Sequence, residues 1–224
     1  LIIAKGRFTE LFAPGGIRVA VLVAVMLALM SQWTGWSVIS FYMPTIFQLA
    51  GVSETTDAIY LSIIPNIASL IFTIIGMLLV DIVGRRSLYL VCSIAMVFST
   101  GFLGVLLVQG ITGWPIVFAV TMCSWPHAIG LGALSWLVMS EIFPTFLRAR
   151  AMMVGSFSVW VAAYIANQSA PILFDFFEKR TQSAGPIFLL FSLISIFAFI
   201  FALKLIPETK GRSLEEIAQS WTKK

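Results

Sequence analysis

Three short charged stretches interrupt an otherwise apolar chain: "DIVGRRS" (81–87), "SEIFPTFLRAR" (140–150) and "PETKGRSLEEI" (207–217). In the first two, a carboxylate (Asp81 or Glu141) precedes arginines: Arg85 and Arg86, then Arg148 and Arg150. The third supplies Glu208, Lys210 and Arg212. Partly buried arginine–carboxylate pairs are bidentate and directional. The chemistry on offer is therefore a latch that holds one arrangement of helices and releases another. The expected pairs join Asp81 or Glu141 to Arg85, Arg86 or Arg148. Taken singly, each cluster also reads as topology-setting arginines with incidental acids; three together favour the latch. Gly84 permits the sharp turn within the first stretch, and Ser213 with Glu216 has the spacing of a capping box on a short helix.

His127 is the only histidine and the one ionisable residue well inside an apolar run. Such a residue is a functional candidate by default. It reads either as a substrate- or proton-handling group or as a neutral, hydrogen-bonded histidine between helices. Little else could break bonds. No His-Glu-x-x-His and no Cys/His spacing for a metal is present, so neither a metal nor a cofactor is expected. No Gly-rich loop ends in Gly-Lys-Ser/Thr. Cys92 and Cys123 read as small buried hydrophobes. An enzyme is not expected.

These groups must be positioned by helices in lipid. The 224 residues are 59% hydrophobic and only 11% charged, with a mean hydropathy of +1.00. Soluble domains lie near ~45–50% apolar and ~25% charged. Apolar runs cover about 17–49 (continuous to 34, then broken by Gly35 and Pro44), 58–80, 87–109, 114–139, 151–174 and 185–206, with a tail over 207–224. About 20 residues cross a hydrocarbon core roughly 30 Å thick, and helices satisfy their own backbone there. The expected fold class is an all-α membrane protein of six transmembrane helices. Helices 1–3 and 4–6 form two groups, and the first helix of each is interrupted: by Gly35 and Pro44, then by Pro126, Gly130 and Gly132. Broken helices at corresponding places point to a transporter's binding site, although Gly and Pro are also common in membrane helices.

With the N-terminus in the cytoplasm, every Lys and Arg except Lys179 and Arg180 falls on the cytoplasmic side, as the positive-inside rule asks. Both ends of this chain are then cytoplasmic, in a plasma (inner) membrane. The net charge of +4 reports this topology and the anionic leaflet, with no nucleic-acid partner implied. The first residue is Leu1 rather than Met, as expected for a piece of a longer protein.

"DIVGRR", "EIFPTFLR" and "PETKGRSLEEI" resemble the cytoplasmic signatures of the sugar porter branch of the major facilitator superfamily, in the same order and each after the corresponding helix. The resemblance covers essentially the whole chain. It implies the C-terminal six helices of a twelve-helix carrier, two three-helix repeats whose partner is a missing N-terminal half. It also implies alternating-access transport of a sugar or similar polyhydroxylated solute, with proton symport. Facilitated diffusion or a non-sugar organic solute is the alternative, and a non-transporting sensor a distant one. The gate network that stabilises the outward-facing state would comprise Asp81, Gly84, Arg85, Arg86, Glu141, Arg148, Glu208 and Arg212.

"SQWTGWSVISFY" (31–42) resembles the family's Gln-Gln-x-x-Gly-x-Asn-x-x-x-Tyr-Tyr stretch, whose amides bind sugar hydroxyls. Gln32, Gly35 and Tyr42 match, while Ser31, Ser37 and Phe41 depart from it. An amide suits a polyol because it both donates and accepts. Trp136, five residues before Glu141, stands where the family carries a pocket-floor Trp; the eleven-residue spacing from Trp125 puts both on one face of a regular helix. Leu131, Ala133 and Ser135 occupy the usual proline region. His127 takes a position where the family often has an aromatic. Ser69 and Val159 replace Asn, Ala128 replaces Glu, and Trp160 matches. The implied substrate-binding set is Gln32, Ser37, Phe41, Tyr42, Ser69, His127, Trp136 and Trp160. Fewer amides and more hydroxyls need not favour glucose.

Overall fold

The computed structural model describes residues 8–12, 15–211 and 216. Among them six helical spans are long and apolar enough to cross a membrane. The first is broken into three: α1 (Gly16–Trp33), α2 (Trp36–Phe41) and α3 (Met43–Leu49). Gly35 makes the first break at φ 109°, where a Cβ would lie 2.8 Å from the Phe191 ring. Only glycine fits that backbone and that close a neighbour. Pro44 sits in the first turn of α3, where its missing N–H has no helical partner to lose.

The second and third spans are α4 (Thr55–Val83) and α5 (Arg85–Val108). Gly84 alone separates them, at φ 94°. The fourth span comprises α6 (Trp114–Pro126), one π turn (His127–Leu131) and α7 (Ala133–Glu141). The Gly132 N–H donates to the His127 carbonyl at 2.8 Å, the five-residue step that defines a π turn. The interruption expected from Pro126, Gly130 and Gly132 therefore takes the form of one added residue rather than an unwound loop.

The fifth span, α8 (Thr145–Thr181), has 37 residues and outruns the apolar stretch 151–174 at both ends. Hydropathy marks only the part that suits lipid. The helix itself propagates through Arg148, Lys179 and Arg180 until Pro144 at one end and left-handed Gln182 at the other. The sixth span is α9 (Gly185–Leu205).

Small residues draw α5 and α9 together. A Cβ on Gly185 would lie 2.5 Å from the Gly104 carbonyl oxygen, so the two backbones touch, as membrane helices do when packing replaces hydrophobic drive. Ser192 and Ser183 hydroxyls donate to the Val97 and Leu107 carbonyls at 2.8 and 2.9 Å. Across the bundle, Trp33 Nε1 donates to the Ala162 carbonyl at 3.0 Å and joins α1 to α8. Behind the π turn, a Gly76 Cβ would stand 2.9 Å from Ile129 Cα, so α4 packs directly on the irregular backbone. The opposite face of α4 stays exposed at Ile63, Ile67, Leu70, Ile74 and Leu78.

The α5–α9 contact leaves no room for a methyl. Gly185→Ala in the intact protein is expected to lower stability by about 1–3 kcal/mol, the usual cost of overpacking. It would be read as a lower thermal-unfolding midpoint in detergent.

Candidate functional site

Where α1, α2, α7 and α8 face one another, a cavity of about 500 Å³ opens between them, within the range of small-molecule sites. Of the residues expected from sequence, it brings together Gln32, Ser37, Phe41, Trp136 and Trp160. Gln32 Nε2 donates to Ser31 Oγ at 3.1 Å, and Ser31 is itself tied to the Ala28 carbonyl. The Ser that departs from the family pattern thus orients its neighbouring amide. Phe41 and Trp160 stand out from the helices, 72% and 70% exposed.

Three of the expected residues are elsewhere. Tyr42 turns its ring onto Phe174, 6.0 Å between centroids, and its hydroxyl donates to the Asn167 carbonyl at 3.0 Å. It braces α3 against α8. Ser69 lies on α4 away from the cavity, its carbonyl taking the Thr73 hydroxyl. His127 stacks on Trp36, 6.1 Å between centroids, and fills the space a Gly132 side chain would need. Its Nδ1 finds no protein partner among the described residues. The nine-residue spacing already turns His127 away from Trp136 on a regular helix, and the π turn then slips the helical register by roughly 100°. The same slip separates Trp125, which packs on the core, from Trp136, which faces the cavity. The shared face expected from their spacing does not form.

The sequence reading missed the wall that α8 provides: Ala163, Tyr164, Asn167 and Gln168. A signal existed, since Trp160, Tyr164 and Asn167 recur at the i, i+4, i+7 spacing of one helix face. Asn167 Nδ2 donates to Ser37 Oγ at 3.0 Å, which ties that wall to α2.

At the charged end, Arg85 is the hub. Its Nη2 meets Glu141 Oε1 at 3.1 Å, with both side chains mostly buried, while Nη1 meets the exposed Asp81 at 3.0 Å. Glu141 uses its other oxygen to accept the Thr209 hydroxyl at 2.5 Å. Glu208 makes no ion pair with an arginine side chain among the described residues. Instead, its carboxylate accepts the backbone N–H groups of Arg85 (3.0 Å) and Arg86 (3.2 Å), the first residues of α5. A helix N-terminus offers unpaired donors and partial positive charge, and an anion satisfies both. Gly84 makes room for it: a Cβ there would lie 2.8 Å from Glu208 Oε2.

Two further cations at this end meet carbonyls near helix C-termini. Arg86 Nη2 donates to the Leu203 carbonyl and Lys210 Nζ to the Ile82 carbonyl, each at 2.6 Å. Arg148 reaches only the Phe143 carbonyl, at 3.4 Å. Of the expected pairs, those of Arg85 form; among the described residues Arg86 and Arg148 face carbonyls instead. Arg212 and the Ser213 cap lie outside the described residues. No cluster of His, Cys, Asp and Glu among the described residues could hold a metal ion.

The family described as "Sugar (and other) transporter" matches residues 4–221. The chain is 32% identical to the arabinose-proton symporter of Bacillus subtilis, over 97% of this chain and 46% of that protein. It is 33% identical to solute carrier family 2, facilitated glucose transporter member 2, of Mus musculus, over 98% of this chain and 41% of that one. It superposes on the proton:xylose symporter XylE bound to 6-bromo-6-deoxy-D-glucose with a TM-score of 0.82 at 26% identity, covering 94% of this chain and 44% of that one. These relatives are transporters, not enzymes. The chain spans under half the length of each.

The Glu208 cap has a direct readout. Glu208→Ala, in the intact protein, is expected to speed hydrogen exchange of the Arg85 and Arg86 amides by about tenfold, the equivalent of a lost helix cap. Glu208→Gln, which keeps one acceptor oxygen, should fall between the two.

Proposed function

The chain belongs to the sugar (and other) transporter family, and from that premise we propose that it is the C-terminal half of a secondary transporter carrying a sugar or similar polyhydroxylated solute by alternating access. The observation that carries this reading is that one short helix, α7, bears both a cavity wall and the latch. Trp136 faces the cavity and Glu141, five residues on, holds Arg85 and Thr209.

In this reading the indoles of Trp136 and Trp160 lie against the apolar C–H faces of the solute. The Gln32 amide and the Ser37 hydroxyl meet its hydroxyls, since each can donate and accept. Phe41 closes the side toward α2. The closed latch of Arg85, Asp81, Glu141 and Glu208 holds α4, α5, α7 and the tail together, and its release accompanies exposure of the cavity to the other side. The excess of Lys and Arg at the latch end supports a cytoplasmic location for it, in the plasma membrane. Tyr42 supports the cavity from behind, and Ser69 and His127 do not touch the solute in this reading.

Proton symport is the energy coupling we assign, on the strength of the symporters among the relatives. Facilitated diffusion is the second reading, favoured by the facilitated glucose transporter among the relatives.

The test is radiolabelled uptake by the full-length protein in sealed vesicles, with a panel of pentoses, hexoses and polyols. Gln32→Ala and Trp136→Ala are each expected to raise KM by about tenfold or more, the scale of one buried hydrogen bond or ring contact. Symport predicts accumulation above the external concentration that a protonophore abolishes. Uptake that halts at equal concentrations with or without it selects the facilitated carrier.

A further inference from the structure

The cavity is lined at two depths. Trp160, Tyr164 and Gln168 recur at i, i+4 and i+8 on α8, and all three face it. At ~1.5 Å per residue, Gln168 lies roughly 12 Å beyond Trp160 along one helix face. Helical side chains all tilt toward the N-terminus, so the two lean alike and keep that spacing. The opposite wall runs in the same direction. Trp33 bonds to the Ala162 carbonyl at 3.0 Å, which sets Gln32 near the level of Trp160. Further out, Tyr42 bonds to the Asn167 carbonyl at 3.0 Å, which sets Phe41 near the level of Gln168. Each depth therefore carries one amide and aromatic surface: Gln32 with Trp160 at the inner level, Gln168 with Tyr164 and Phe41 at the outer.

The outer amide is open. Gln168 is exposed and, unlike Gln32, makes no hydrogen bond among the described residues. It lies within the apolar stretch 151–174, where an amide without a partner is costly. Tyr164 is 67% exposed. We infer that Gln168, Tyr164 and Phe41 form an outer subsite for a second sugar ring, so that the site favours a disaccharide or other two-ring glycoside over a monosaccharide. The inference rests on the sugar-transport reading above. A separation of roughly 12 Å is more than one pyranose ring spans. A single ring held by Gln32 and Trp160 leaves Gln168 unpaired, whereas a second, linked ring reaches it. The amide can then donate to one hydroxyl of that ring and accept from another. Linking the rings loses translational freedom once for two sets of contacts.

The experiment is competition for uptake by the full-length protein in sealed vesicles, with whichever sugar the wild type carries as the label. The competitors are methyl glycosides of monosaccharides and the disaccharides that contain the same rings. A methyl glycoside blocks a hydroxyl without adding a ring. At least one disaccharide should compete about tenfold better than the matching methyl glycoside, the scale of one such hydrogen bond. Gln168→Ala and Tyr164→Ala should each bring that preference down toward parity. If Gln168→Ala leaves the preference where it was, by weakening both competitors alike or neither, the amide serves another part of the carrier and the assignment fails. Gln168→Met, which keeps the length of the side chain and removes the amide, replaces the alanine variant if that one does not fold. A wild type that carries none of the sugars sinks the transport reading together with this assignment; a sugar-carrying wild type in which no disaccharide outcompetes its methyl glycoside sinks the assignment alone.

Discussion

In hydrocarbon no water competes for a hydrogen bond, so every backbone group must find its partner inside the protein, and a buried side-chain polar group is costly without one. The bundle is shaped by that demand. Buried hydroxyls such as Ser62, Ser93, Thr100 and Ser195 turn back to the carbonyl four residues earlier. Two of the places where helix geometry fails, Gly35 and the π turn, are each pressed against protein: Phe191 in one case, α4 and α5 in the other. Where glycine lets two backbones meet, as at Gly104 and Gly185, the contact leaves no room for a methyl group. Both of these departures from regular helix lie against neighbouring helices rather than on an open face.

The same demand explains the charged end. A single carboxylate, Glu208, satisfies the first donors of α5, and cationic side chains satisfy the last carbonyls of α4 and α9. Charge–charge pairing is concentrated on Arg85. The tail is therefore stitched to the helix ends mainly through the backbone, an arrangement in which geometry matters more than net charge.

Much of this was legible in the sequence, and what was not had a physical reason. The six spans follow from hydropathy because lipid imposes a length and a polarity. The acid–arginine spacing pointed to Arg85 and Glu141. Backbone acceptors, however, leave no trace in a residue pattern, so the roles of Glu208 and Arg86 were hidden. Pro126, Gly130 and Gly132 announced a disturbance without its sign; an added residue and an unwound turn look alike on paper, yet they point Trp125 and His127 in different directions. Asn167 was not marked because the family's pattern falls on Val159 and Trp160, about two turns earlier on α8.

The length of α8 has a mechanical consequence. At ~1.5 Å per residue, its 37 residues make a rod of about 55 Å, against a hydrocarbon core of roughly 30 Å. Such a rod must lean or project into the headgroups, and packing against its neighbours, such as the Trp33 bond to Ala162, sets how far it leans. Trp160 and Asn167 ride near its middle. The contacts that hold the rod at its angle therefore also decide where one wall of the cavity stands.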